Sequence, residues 1–553
     1  MPPAAPSDPD PRDMEPVAPM GQHPGNLASA PLPPGDDPVP APGSSGGTAP
    51  GPVGAAAPAP QAFPGGQSGD PGAGLWAGVA KADITDYAAG PAHDPLYVKA
   101  LVLKTAETAV AIVTIDAVAL AEIGPVPAGF LPTVQRELAL DPGLAPGQLL
   151  VNASHCHGLV CAQVAERTVE TVRRAWQSLV PVRAGVGVGH EDRISENRRL
   201  QLTDGREADV RHAYSLAPDA ALAGVGPIDP QIGLLRLDRL DGSTLAVVYN
   251  FAVHPIQGVP SGANTADVVG FASAVIEAGT GPDCLALFLQ GCAGDVNPVR
   301  YKDVDHPRDA APLGHCLGLA ALQALKQIRC GADARLCLAT TELGLPRADL
   351  RPAIAALEAA QATCLASLTG TTLNLKTFLQ LTARYGLDPE FPSCYGHRYL
   401  HDRSLGRAAL DRLDADNRRH LAAYRERIYA MEELTRIAAN LELLRLHHAR
   451  NQAASGGPLT VELLALRVAG FVLVTFPGEL SAQIGLNLKA ASPHPNTFVA
   501  AYTNGYIYYA PTAAQLRNRG WAQEDSDCEL DAAWQARFEA AALRLLGRLH
   551  CRG

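Results

Sequence analysis

Three runs, GLWAGVAKADI at 74–84, YVKALVLKT at 97–105 and AVAIVTID at 109–116, read as consecutive β-strands. Each is short, rich in Val, Ile, Leu and Ala, and separated from the next by turn-forming or polar residues, the pattern of strands buried in a sheet. Further strands are expected in QLLVNASHCHG (148–158), PVRAGVGVG (181–189), QIGLLRLDRL (231–240), TLAVVYNFAVHP (244–255) and DCLALFLQGCAGD (283–295), and again in LTVELLALRV (459–468) and FVLVTFPGEL (471–480). Between them, 162–179, 266–278 and 313–328 carry helical spacing. Strands mixed with helices in this way predict an α/β fold of mixed sheets and helical layers.

Outward from this region the character changes twice. Residues 1–74 are Pro, Ala, Gly, Ser and Asp with almost no large apolar side chains. Such a segment buries too little surface to offset its ordering entropy and reads as a disordered tail. From 346 to 455 the pattern is helical, with Leu421, Tyr424, Ile428, Met431, Leu434, Ile437, Leu441 and Leu444 forming one apolar stripe at three- and four-residue steps. The expected organisation is a tail (1–74), the first part of a core (75–345), a helical insertion (346–455) and the second part of the core (456–553), closed by an amphipathic helix around 531–549. An insertion of this length serves either as a lid over a pocket or as a structural extension or oligomer contact.

The bulk properties exclude several classes. A formal charge of −11 with no Lys/Arg run speaks against a nucleic-acid partner, since phosphate binding needs concentrated positive charge. No apolar stretch reaches the length of a membrane span. The N-terminus shows no basic and apolar signal regions, and the eleven cysteines form no CxxC pairs. Mostly reduced thiols and a cytoplasmic location are therefore expected. The oligomeric state is not legible.

Candidate chemistry gathers where strands end. His155 and His157 follow an apolar strand, and on an extended backbone side chains at i and i+2 face one side. His254 stands at the mouth of a second strand, before a proline that ends the ladder. Glu479 follows a Pro-Gly turn. Two His and one carboxylate satisfy a catalytic zinc that keeps a position open. Alternatively Glu479 is a carboxylate at a helix N-terminus, favoured by the helix dipole. Asp295, in QGCAGDVNP (290–298), reads as a turn former or an orienting carboxylate.

Nine strings occur here in an order that resembles the neutral/alkaline, non-lysosomal ceramidases and their bacterial relatives. They are GVAKADIT (78–85), HDPLYVKALVL (93–103), NASHCHG (152–158), NRR (197–199), NFAVHP (250–255), TADVVGFAS (265–273), GCAGDVNP (291–298), TFPGEL (475–480) and YTNGYIYYAPT (502–512). The resemblance implies a fold of the neutral ceramidase N-terminal domain type and one zinc ion per chain, held by His155, His254, Glu479 and Tyr509. It implies a proton-transfer or oxyanion role for His157, and pocket roles for His93 and Arg198. Two positions depart from the family. Asn297 stands where ceramidases carry a serine nucleophile, and Trp521 stands where they carry a tyrosine associated with the oxyanion. No segment matching the immunoglobulin-like C-terminal domain of longer members is expected. The implied function is zinc-dependent hydrolysis of a C–N amide bond in a small or lipid-like N-acyl substrate by activated water. The alternatives are a true ceramidase acting on N-acylsphingosine, and a zinc- or substrate-binding homologue without turnover.

Overall fold

The computed structural model describes residues 74–209, 221–259, 264–299, 301, 303, 305–393 and 395–549. Nearly all of the expected tail lies outside these residues.

Eight strands form the larger sheet, in the spatial order Leu285–Gln290, Thr244–Phe251, Gln231–Arg239, Val180–His190, Leu75–Asp83, Tyr97–Lys104, Ala109–Ile115 and Leu149–Ala153. Its interior pairs are antiparallel, and the outermost pair at each edge is parallel. A parallel pair needs a crossover, and helices Phe130–Leu140 and Asp267–Thr280 supply one at each edge. Four further strands, Leu336–Leu345, Leu459–Val468, Phe471–Thr475 and Thr497–Ala500, form a second sheet.

Side-chain alternation along the strands sorts these elements into layers. Leu101, Leu103, Val110, Ile112 and Leu235 face inward and meet Leu464, Leu466, Leu473 and Phe498 of the second sheet. Val98, Ala100, Val102 and Val113 face the other way, toward Val134, Val169 and Val172 on helices Phe130–Leu140 and Val164–Gln177. Farther along the same face, Leu234, Val247 and Phe288 pack on Val268, Ala272 and Leu317 of helices Asp267–Thr280 and Ala311–Leu325. The outer face of the second sheet buries Val472, Val474 and Val499 with Ile484, Leu488, Trp534 and Phe538. The result is the expected layered sandwich, in the order helices, sheet, sheet, helices.

Strands Leu336–Leu345 and Leu459–Val468 pair through ten residues without a register shift. The chain between them leaves this hairpin as four helices, Arg351–Ser367, Leu375–Leu387, Gly396–Ser404 and the 45-residue Ala409–Ala453. Growth from a hairpin tip leaves the ladder intact, which is why the sheet tolerates so long an addition. Of the apolar stripe, Leu421, Ile437, Leu441 and Leu444 are buried, whereas Met431 is exposed. Asn451 ties the long helix to the core by donating to the Ala348 and Glu529 carbonyls, each at 3.0 Å.

Eight described cysteines are free thiols, and Cys337 is disulfide-bonded. No helix among the described residues is long and apolar enough to cross a membrane.

Candidate metal centre

Strand Leu149–Ala153 stops just short of the first histidine. Beyond it the Ser154 and His155 N–H groups donate to Ile115 O and Ala117 O at 2.9 Å, drawing the chain toward the loop that leaves the neighbouring strand. His155 adopts φ 67, in the left-handed region. The extended i, i+2 geometry expected for the two histidines is therefore broken by a left-handed residue. His155 is buried and His157 exposed, with their ring centroids 5.5 Å apart.

Two carbonyls settle the tautomers. His155 Nδ1 lies 2.6 Å from Val118 O, and His254 Nδ1 lies 3.2 Å from Val296 O. A carbonyl only accepts, so each Nδ1 carries the hydrogen and each Nε2 of the neutral ring keeps a lone pair. Those lone pairs converge on Glu479 Oε2, at 3.5 Å from His155 and 3.2 Å from His254. Burial lowers both imidazole pKa values, to about 4 for His155, against the opposing pull of Glu479. Burial works against ionisation of Glu479 too, yet the Tyr506 hydroxyl, and the His155 and His254 rings whenever they are protonated, hold its pKa below the usual carboxylate range. At neutral pH three electron-rich atoms thus face one another. His254 Nε2 is buried and makes no hydrogen bond. The ligand atoms of His155, His254 and Glu479 all lie within 4.8 Å of one another. This donor set fits a divalent cation, and the second partner of each imidazole is of the kind that orients metal-bound histidines.

Glu479 reaches this point through a Pro-Gly turn and a two-residue strand, Glu479–Leu480, paired in parallel with Tyr509–Ala510. It does not cap the helix that follows. That helix, Ala482–Ala491, receives Asp295 instead, whose Oδ1 accepts from Ala482 N at 2.8 Å. Gly294 N donates to Leu480 O at 2.8 Å, and a Cβ on Gly294 would stand 2.6 Å from Glu479 O. Only glycine allows the two loops to approach so closely. The adjoining Val296 carbonyl accepts from both the backbone and the ring of His254.

The other expected site residues fall into three places. Arg198, Asn297 and Tyr509 are joined: the buried Arg198 guanidinium donates to Asn297 Oδ1 (3.0 Å), the Tyr509 hydroxyl (3.2 Å), Glu524 Oε1 (2.5 Å) and Gly294 O. His93 is exposed, with its N–H on Asn264 O and its ring edge-on to Phe271. Trp521 stacks with Arg206 and Arg436, whose guanidinium carbons lie 3.7 and 4.1 Å from its ring centre. Sequence reasoning did not single out Tyr502 or Glu524. Tyr502 donates to Glu479 Oε2 at 3.1 Å, and no local spacing announces that contact.

No protein-family model and no curated relative matches the chain. Among solved structures it is similar to the neutral ceramidase from Pseudomonas aeruginosa, with a TM-score of 0.54 and 16% identity over 86% of this chain and 74% of that one. It is similar also to a ceramidase complexed with C2, with a TM-score of 0.54 and 15% identity over 86% and 75% of the two chains. The fold is therefore of the neutral ceramidase type.

Proposed function

We propose that this chain is a zinc-dependent hydrolase that cleaves the C–N amide bond of a small or lipid-like N-acyl substrate with activated water. The observation that carries the reading is the convergence of His155 Nε2, His254 Nε2 and Glu479 Oε2 with both imidazole hydrogens already committed to carbonyls. Those three residues would hold one zinc, with Tyr509 as the fourth donor. A zinc ion supplies Lewis acidity toward an amide carbonyl and brings the pKa of a bound water toward about 7.

The remaining roles belong to the side chains. To His157, beside the buried cluster, we assign the transfer of a proton from the attacking water to the departing amine. Arg198 positions Tyr509 and Asn297 rather than meeting substrate, because its nitrogens are engaged within the protein. An asparagine amide is no nucleophile, so Asn297 favours direct attack by water over a covalent route. Exposed His93 is available to a polar group of the substrate.

Elemental analysis and an activity screen over N-acyl substrates, before and after chelation, test this reading. One equivalent of zinc, with hydrolysis lost on chelation and in His155→Ala, is expected. A chain that binds no zinc refutes it. Release of fatty acid from ceramide alone would identify a true ceramidase, and substrate binding without turnover would identify a homologue that has lost catalysis.

A further inference from the structure

A cavity of about 920 Å³ opens elsewhere, between the helical insertion and the hairpin of strands Arg199–Leu202 and Glu207–Asp209. Its walls include Leu202, Ala208, Ala423, Ala430, Trp521 and Arg436, and none of His155, His254 or Glu479. Two guanidinium groups cannot occupy the same face of one indole at 3.7 and 4.1 Å, so Arg206 and Arg436 clasp Trp521 from opposite sides. Each is anchored by a carboxylate: Arg206 Nε donates to Asp204 at 2.8 Å, and Arg436 donates through Nε and Nη2 to Glu433. Arg436 is 7% exposed, yet its Nη1 is buried without a hydrogen-bond partner. A buried, unsatisfied cationic donor is costly and marks a place where an acceptor is missing.

We propose that this cavity binds a monocarboxylate with an aliphatic body, its carboxylate on Arg436 Nη1 and its chain along Leu202, Ala208, Ala423 and Ala430. The charges around the cavity select a single negative charge. Asp204 and Glu433 are paired with Arg206 and Arg436, and Arg427 is engaged by the Thr369, Gly370 and Ala423 carbonyls, while Glu426 and Asp209 add negative charge, so a multiply charged anion meets repulsion. An apolar wall at Leu202, Ala208, Ala423 and Ala430 beside a polar group left without a partner is a usual form of a small-molecule site. The site stands independently of the hydrolase reading, although a carboxylic acid is also what amide hydrolysis releases.

Calorimetric titration of the full, chelated chain with decanoate, and in parallel with decanol, tests the proposal. Decanoate should bind once per chain, and decanol far more weakly. Arg436→Gln should weaken decanoate by roughly tenfold or more, the loss of a charge-assisted hydrogen bond. That variant should fold, because Glu433 is 38% exposed and water takes over its charge. Ala430→Trp, which fills the cavity from the long helix, should abolish binding without touching any charge. Absence of binding overturns the proposal, as does equal affinity for decanol. Decanoate affinity undiminished in both variants, or lost only in His254→Ala, would overturn it by placing the ligand elsewhere.

Discussion

The Tyr506 hydroxyl donates to Glu479 Oε1 at 2.5 Å, so the carboxylate that faces the two imidazoles with one oxygen is held from behind by the other. Tyr506→Phe removes that donor while keeping the ring. The expected outcome is zinc affinity lowered by roughly 10- to 100-fold, the usual effect of losing an outer partner of a metal ligand. Competition with a chromophoric chelator measures it, and unchanged affinity would mean that Glu479 needs no such support.

The convergence of lone pairs carries its own signature in stability. In the metal-free chain Glu479→Gln replaces a repulsive contact with an amide N–H that His254 Nε2 can accept. The chelated variant should be more stable than the chelated wild type by about 1 kcal/mol. Zinc at a thousand times its dissociation constant should stabilise the wild type by about 4 kcal/mol, and this increment should vanish in Glu479→Gln and in His254→Ala. Urea denaturation with and without chelator reads both effects. An undiminished zinc increment in these variants would place the metal elsewhere.

These contacts also mark how far the sequence could be read. The strands expected at 74–84, 97–105 and 109–116 form Leu75–Asp83, Tyr97–Lys104 and Ala109–Ile115; the second and third are buried on both faces and the first is only half-buried, and their apolar runs leave little choice of state. The long helix runs well beyond its stripe on the N-terminal side, where its surface is mostly exposed and apolar periodicity gives no signal. His155, His254 and Glu479 stood out because each follows a strand. Their partners did not: Val118 O and Val296 O are backbone atoms with no residue signature. The two tyrosines that meet Glu479, Tyr502 and Tyr506, are brought alongside by the pairing of Glu479 with Tyr509. Trp521 likewise stands between Arg206 and Arg436 only through packing of the insertion on the core.

Gly294→Ala tests the close approach of the two loops. Its methyl group would collide with the Glu479 carbonyl at 2.6 Å, and neither backbone segment has a flexible end to move aside. A loss of about 2–4 kcal/mol is expected, together with weaker zinc binding as the Val296 carbonyl shifts away from His254. Gly331→Ala, where an added Cβ meets nothing within 4 Å, is the matched control and should be near neutral. Equal effects of the two substitutions would contradict the geometry.

Asp116, just past the end of strand Ala109–Ile115, predicts a pH dependence unconnected to metal. Burial raises its pKa from 3.8 to about 6, partly offset by the Lys99 charge and by the Tyr97 N–H, which donates to it at 2.9 Å. A carboxyl whose folded pKa exceeds its unfolded value binds its proton more tightly in the native state. Its stabilising contribution is therefore complete below pH 3.8 and is lost as pH rises through about 6. The span of the shift corresponds to on the order of 3 kcal/mol. Asp116→Asn keeps an acceptor for the Tyr97 N–H but has no proton to lose. The stability of this variant relative to wild type should rise between pH 4 and 7 and level off above, when both are unfolded in urea across that range. A difference that stays flat with pH would show that Asp116 is already ionised at pH 4 in the folded chain.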